Sequence, residues 1–137
     1  MTDKNELVRI AMQARARAYS PYSGFCVGAA LLCADGEIFI GANVENSSYG
    51  GTICAERVAI TAAVVSGKRD FVGIAIVGAP AGEEISAFCA PCGICRQFMA
   101  EFCDDDFEIY LCDGKEVRTY TLDEMLPAAF RSSDLGV

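Results

Sequence analysis

Eight cysteines and no histidine stand in a chain of 137 residues, so no Cys-His dyad, Ser-His-Asp triad or imidazole metal ligand is available to it. Any chemistry must come from Cys, Asp, Glu, Lys, Tyr, Ser or a cofactor. Spacing divides the cysteines. In Cys89-Ala-Pro-Cys92-Gly-Ile-Cys95 two C-x-x-C pairs overlap where a helix is expected to begin. Residues three apart share a helix face, so Cys92 and Cys95 can aim both sulfurs at one point, and helix N-terminal N–H groups favour thiolates. Metal binding and thiol redox chemistry both use such a pair. A third ligand would decide between them. Cys54, in Thr52-Ile53-Cys54-Ala55-Glu56-Arg57, is the candidate because it too sits where a loop becomes a helix. Three thiolates and one open position describe a catalytic zinc, since a structural zinc normally closes with four protein ligands. Cys26, Cys33, Cys103 and Cys112 lie inside apolar segments and read as core thiols.

Zinc lowers the pKa of a bound water from about 15.7 in bulk to about 7 in favourable sites, but three thiolates leave the cluster a net monoanion and weaken that effect. Arg57, on the same helix face as Cys54, can donate to the thiolates and withdraw charge; a surface salt bridge is the other reading of this residue. Glu56 stands between Ala55 and the apolar run that starts at Val58. A carboxylate so placed is expected to be partly buried, with a raised pKa suited to moving protons. A first-turn carboxylate that merely complements the helix dipole is the alternative. The order Cys-Ala-Glu, then Pro-Cys-x-x-Cys, is the zinc deaminase signature with cysteine in the place often held by histidine, and in it the glutamate is the general acid and base. Pro91 selects Cys92 and Cys95 as ligands and leaves Cys89 beside the site.

These side chains need a scaffold that brings two helix N-termini together. Asp3 with Glu6 resembles a capping pair, and Leu7, Ile10, Ala11, Ala14 and Ala18 follow at helical spacing until Ser20-Pro21. Phe25 to Cys33 and Ile38 to Ile40 are strand-like runs around Asp35-Gly36, which predicts a hairpin. Gly41 to Gly51 reads as a polar loop. Cys54 to Ser66 is apolar on nearly every side beyond its first turn and is expected to be a buried helix stopped at Gly67. Phe71 to Val77 and Phe107 to Cys112 predict buried strands. Between them Cys92 to Phe102 predicts a helix with Ile94, Phe98 and Phe102 on one stripe. Val117 to Tyr120 is a short edge-like strand, and Thr121 with Glu124 caps a last helix expected to reach Phe130. The whole implies a single α/β domain over residues 1–137, a mixed sheet of about five strands covered by helices on both faces as a three-layer α/β/α sandwich.

A chain of this length with 53% hydrophobic residues has a real core without disulfide staples. No signal peptide is legible at the N-terminus and no stretch resembles a membrane-spanning helix, which predicts a protein of a reducing, cytoplasmic compartment. A net charge of −8 disfavours partners held through phosphates or anionic lipid.

The chain resembles the small homotetrameric cytidine deaminases that act on free nucleosides. Four segments carry the resemblance: Tyr19 to Ala30, Gly41 to Tyr49, Thr52 to Arg57 and Pro91 to Gln97, with a weaker fifth, Leu126 to Phe130. It implies one zinc per subunit on Cys54, Cys92 and Cys95, with Glu56 as proton carrier in the hydrolysis of cytidine and deoxycytidine to uridine, deoxyuridine and ammonia. It also implies that Phe25 packs on the pyrimidine, that the Ala55 backbone contacts the base, and that Asn43 and Glu45 hold ribose hydroxyls. Ser47, Tyr49 and Phe130 are implied to reach a neighbouring subunit's site. Asn43 and Glu45 alternate with Val44, so an extended segment would point both one way, although polar-loop composition would also explain them. A polynucleotide-editing relative needs a basic groove and a nucleotide deaminase needs cations for the phosphate, neither of which fits this chain. A deaminase of cytosine-containing antibiotics shares the zinc core, and a structural zinc or thiol-redox module would not need Glu56.

Overall fold

The computed structural model describes residues 2–137. Asp3 accepts from the Glu6 N–H at 2.8 Å and starts α1 (Lys4–Ala14), while the Glu6 carboxylate turns away to Arg9. Five strands form one mixed sheet: β1 (Phe25–Cys33), β2 (Ile38–Ala42), β3 (Phe71–Pro80), β4 (Glu108–Cys112) and β5 (Val117–Thr121), in the order β2-β1-β3-β4-β5. Among neighbouring strands, β3 and β4 pair in parallel, with the helix α3 (Gly93–Phe102) in the connection between them, and the other pairs are antiparallel. The remaining helices are α2 (Ala55–Val65) and α4 (Leu122–Met125).

Alternation along the strands fills both faces. Ala30, Leu32, Ala75 and Val77 pack with Leu7, Val8 and Ala11 of α1 on one side. Leu31, Ile74, Ile76 and Ile109 pack with Ala59, Ile60, Ala63 and Met99 of α2 and α3 on the other. The result is the three-layer sandwich that the sequence predicts. Each fully buried Leu or Ile in these layers contributes about 1.5–3 kcal/mol over an exposed one.

Two local expectations, on α2 and on the last helix, are corrected. Helix α2 buries Ala55, Glu56, Ala59, Ile60 and Ala63 but leaves Thr61, Ala62 and Val65 exposed, so it is covered on one side. Helix α3 turns Cys95, Met99 and Ala100 inward and leaves Ile94 exposed. The last helix stops at Met125 instead of Phe130. Its capping box is present, but Pro127 disfavours helical backbone at Leu126 and Ala128 adopts a positive φ of 54°.

Close approach of α2 to the sheet depends on Gly41. A Cβ there would lie 2.2 Å from the Ala55 carbonyl oxygen and 2.7 Å from the Ala59 nitrogen. Gly41→Ala is therefore expected to push the first turn of α2 off the sheet at a cost of about 3 kcal/mol, or roughly 10 °C in Tm. Thermal unfolding checks this against Gly93→Ala, where a Cβ meets nothing within 4 Å and Tm should hold.

Candidate functional site

Cys54 and Cys92 occupy the N-cap positions of α2 and α3, and Cys95 lies one turn into α3. The two helices meet head to head, so their N-terminal N–H groups surround the same point. The Cys54, Cys92 and Cys95 sulfurs all lie within 4.8 Å of one another. Zn–S bonds of about 2.3 Å in a tetrahedron put sulfurs about 3.8 Å apart, and the Sγ atoms of Cys54 and Cys92 are 3.9 Å apart. The Cys95 N–H donates to the Cys92 sulfur at 3.5 Å. Among the described residues no other cluster of this kind exists. Soft donors, spacing and dipoles all fit zinc, with one coordination position left for water or substrate.

Charge at the cluster follows from its neighbours. A hydrogen bond from Cys95 pulls the Cys54 thiol down to about 5, with Arg57 and Cys92 adding to the effect, and the same bond pushes the Cys95 thiol up. Arg57 Nη2 donates to the Cys54 sulfur at 3.8 Å and to the Thr52 carbonyl at 3.2 Å. Its Nε is buried without a partner, a spare donor beside electron-rich sulfur. Of its two readings, the structure shows the contact to the Cys54 sulfur, and among the described residues Arg57 forms no salt bridge.

Glu56 is 3% exposed at the start of α2. Burial raises its carboxyl to about 7, and the Cys54 charge pushes the same way. Cys89 sits nearby, its thiol pushed up to about 11 chiefly by burial, and so remains a neutral neighbour.

The segment carrying Asn43 and Glu45 is extended and paired on both sides, with Val44 bridged to Tyr19 and to Ile53. Ile53 directly precedes Cys54, so one backbone ladder ties this segment to the metal ligands. Both polar side chains are anchored. Asn43 is buried; its Oδ1 accepts from the Val27 N–H and its Nδ2 donates to the Phe25 carbonyl, each at 2.8 Å. Glu45 accepts from the Tyr22 and Ser23 N–H groups and from the Ser23 hydroxyl. An open cleft of about 300 Å³ lies between Tyr22, Ser23, Glu45, Tyr49 and Thr52. Phe25, 38% exposed, begins β1 beside it, and the fully buried Ala55 follows Cys54.

Ser47, Tyr49 and Phe130 do not join the metal cluster within one chain. Tyr49 is 77% exposed and stacks edge-on against Tyr22 at 5.9 Å, and Phe130 is 56% exposed. The Phe130 carbonyl accepts from Gln97 of α3, and Arg96 ties α3 to the Met125 carbonyl. Sequence reasoning missed Ser23, Arg96 and Gln97. For Ser23 a signal existed: a serine two residues before a strand commonly accepts the N–H of residue i+2, here Phe25 at 3.0 Å.

No helix among the described residues is long and apolar enough to cross a membrane. A family model described as the cytidine and deoxycytidylate deaminase zinc-binding region matches residues 1–111. A cytidine deaminase of Halalkalibacterium halodurans is 46% identical over 135 residues, covering 98% of both chains. The 1.6 Å crystal structure of cytidine deaminase from Burkholderia pseudomallei superposes with a TM-score of 0.86 at 43% identity, covering 94% of this chain and all of that one. A more distant relative, a blasticidin-S deaminase of Bacillus cereus, is 33% identical over 128 residues, covering 91% of this chain and 90% of that one. Sequence, fold and a three-thiol cluster at the matched positions thus agree, and the chain belongs to the cytidine and deoxycytidylate deaminase zinc-binding family.

Proposed function

We propose that this chain converts cytidine and deoxycytidine, with one water, to uridine and deoxyuridine plus ammonia, a reaction of pyrimidine salvage. The observation that carries the reading is the buried Glu56 carboxyl, raised to about 7, beside three sulfurs at the meeting of two helix N-termini. Held by Cys54, Cys92 and Cys95, zinc supplies an acidified water close to the pyrimidine. With zinc bound, Glu56 would take one proton from that water and pass it to N3 of the base as the water oxygen bonds to C4. The remaining water proton, carried by the same carboxyl to the exocyclic nitrogen, would leave with it as ammonia when the C4–N bond breaks. A pKa near neutrality suits a group that must hold and release protons in one cycle. Arg57 draws charge from the thiolates.

Phe25 packs on the pyrimidine and the Ala55 backbone contacts it, while Asn43 and Glu45 recognise the ribose hydroxyls. Ser47, Tyr49 and Phe130 act in the site of a neighbouring subunit of a homotetramer with one zinc per subunit. The exposure of Tyr49 and Phe130, two large side chains, supports that role. Residues 1–137 work as a single domain in the cytoplasm.

The test is ammonia release from cytidine, deoxycytidine and blasticidin S by the purified protein, with and without a zinc chelator. Release from the nucleosides that the chelator abolishes is the expected result. No release from either nucleoside overturns the reading, and release from blasticidin S alone transfers it to antibiotic deamination.

A further inference from the structure

Ser23 lies in an exposed turn and belongs to none of the groups assigned above. Its hydroxyl nevertheless joins two of them. It accepts from the Phe25 N–H at 3.0 Å and donates to Oε2 of Glu45. The direction of that donation is fixed by chemistry. A hydroxyl has one proton, an N–H can only donate, and an ionised carboxylate can only accept, so the Ser23 proton must point at Glu45. The other oxygen, Oε1, takes the Tyr22 N–H at 2.9 Å and the Ser23 N–H at 3.1 Å. Gly24 makes this possible: its φ of +69° reverses the chain so that residues 22 and 23 face Glu45 while residue 25 enters β1.

The hydrogen-bond inventory has a consequence. With two donors on Oε1 and one on Oε2, the acceptor capacity left on Glu45 sits on Oε2, the atom that Ser23 orients. Asn43 does not set that orientation, because the hydrogen bonds of its amide run to the backbone of Phe25 and Val27 and none reaches Glu45. The Ser23 hydrogen bond is also the largest of the effects that hold the Glu45 carboxyl below its usual range and so keep it an acceptor.

The geometry points to Ser23 as a positioning residue that fixes the Glu45 carboxylate for a ribose hydroxyl and ties its placement to Phe25. This rests on the reading of Glu45 as the ribose acceptor. A positioning role for sugar recognition predicts an effect that exists only when the substrate carries ring hydroxyls. A merely structural role predicts the same effect on every substrate.

The zinc-loaded enzyme separates the two through kcat and KM measured with cytidine and with 2′,3′-dideoxycytidine, which lacks both ring hydroxyls. Ser23→Ala should raise KM for cytidine about tenfold and change kcat less than about twofold, as expected when an interaction equal in ground and transition state is lost. With dideoxycytidine the same substitution should change KM less than about twofold. Ser23→Thr, which keeps the hydroxyl, should restore the wild-type KM for cytidine. Equal factors on both substrates, or no change with cytidine, would overturn the proposal. Glu45→Gln tests the underlying reading separately: an equal effect on both substrates removes Glu45 from sugar recognition. A hydroxyl-dependent Glu45→Gln effect beside a hydroxyl-independent Ser23→Ala effect removes Ser23 alone.

Discussion

Glu56→Gln is expected to lose about ten-thousandfold in kcat on cytidine while its zinc content stays at the wild-type level. The side chain keeps its shape, and the amide can still donate a hydrogen bond toward N3, but it can neither accept a proton from water nor pass one on. General acid-base catalysis contributes up to about ten-thousandfold, and here one carboxyl serves successive transfers. The same substitution should stabilise the fold. The carboxyl ionises at 4.5 in its ordinary state and at about 7 in the fold, a raised value caused first by burial. The folded chain therefore holds the proton more tightly than the unfolded one. The cost of ionising Glu56 is absent below pH 4.5, grows between pH 4.5 and 7, and is complete above 7 at about 3 kcal/mol. Glutamine carries no such cost, so its gain in Tm should be absent at pH 4 and full at pH 8. Turnover, zinc analysis and thermal unfolding on one preparation check all three. Retained turnover would remove Glu56 from the chemistry.

The second large effect comes from Cys54→Ala. Cys92 and Cys95 would remain as a two-thiol site on one helix. Apparent binding energies of four-ligand zinc sites run to roughly 10–16 kcal/mol, so losing one of three ligands costs about 4 kcal/mol, near a thousandfold in affinity. Metal content should fall from one per chain to nearly none after dialysis, and turnover with it. The Cys54 side chain makes no capping hydrogen bond to α2, so circular dichroism should show the helix intact. Zinc retained at one per chain would place the metal elsewhere.

Much of this was readable from residue types alone, for reasons that differ by element. Strand β1 matches its expected bounds because Phe25 to Cys33 is uninterrupted apolar chain between two turns. The Thr121 box was legible because it is local chemistry. The three sulfurs converge because an N-cap position and a C-x-x-C spacing each constrain direction. What escaped was non-local. Periodicity cannot tell a face that meets solvent from one that meets the sheet, so the pattern predicts burial on the side of α2 where Thr61, Ala62 and Val65 are exposed. Nor could it show the anchoring of Glu45, since two of its three donors are backbone N–H groups that carry no side-chain signature.

The head-to-head meeting of α2 and α3 has a consequence for the unfolded chain. Cys54 and Cys92 stand 38 positions apart, with the whole of α2 and of β3 between them. An ion gripped from both ends makes that segment a closed ring. By the chain-entropy estimate used for covalent cross-links, a ring of this length removes about 4 kcal/mol of denatured-state freedom. The central strand lies within the ring, so the ion placed for catalysis also acts as a clasp on the middle of the sheet.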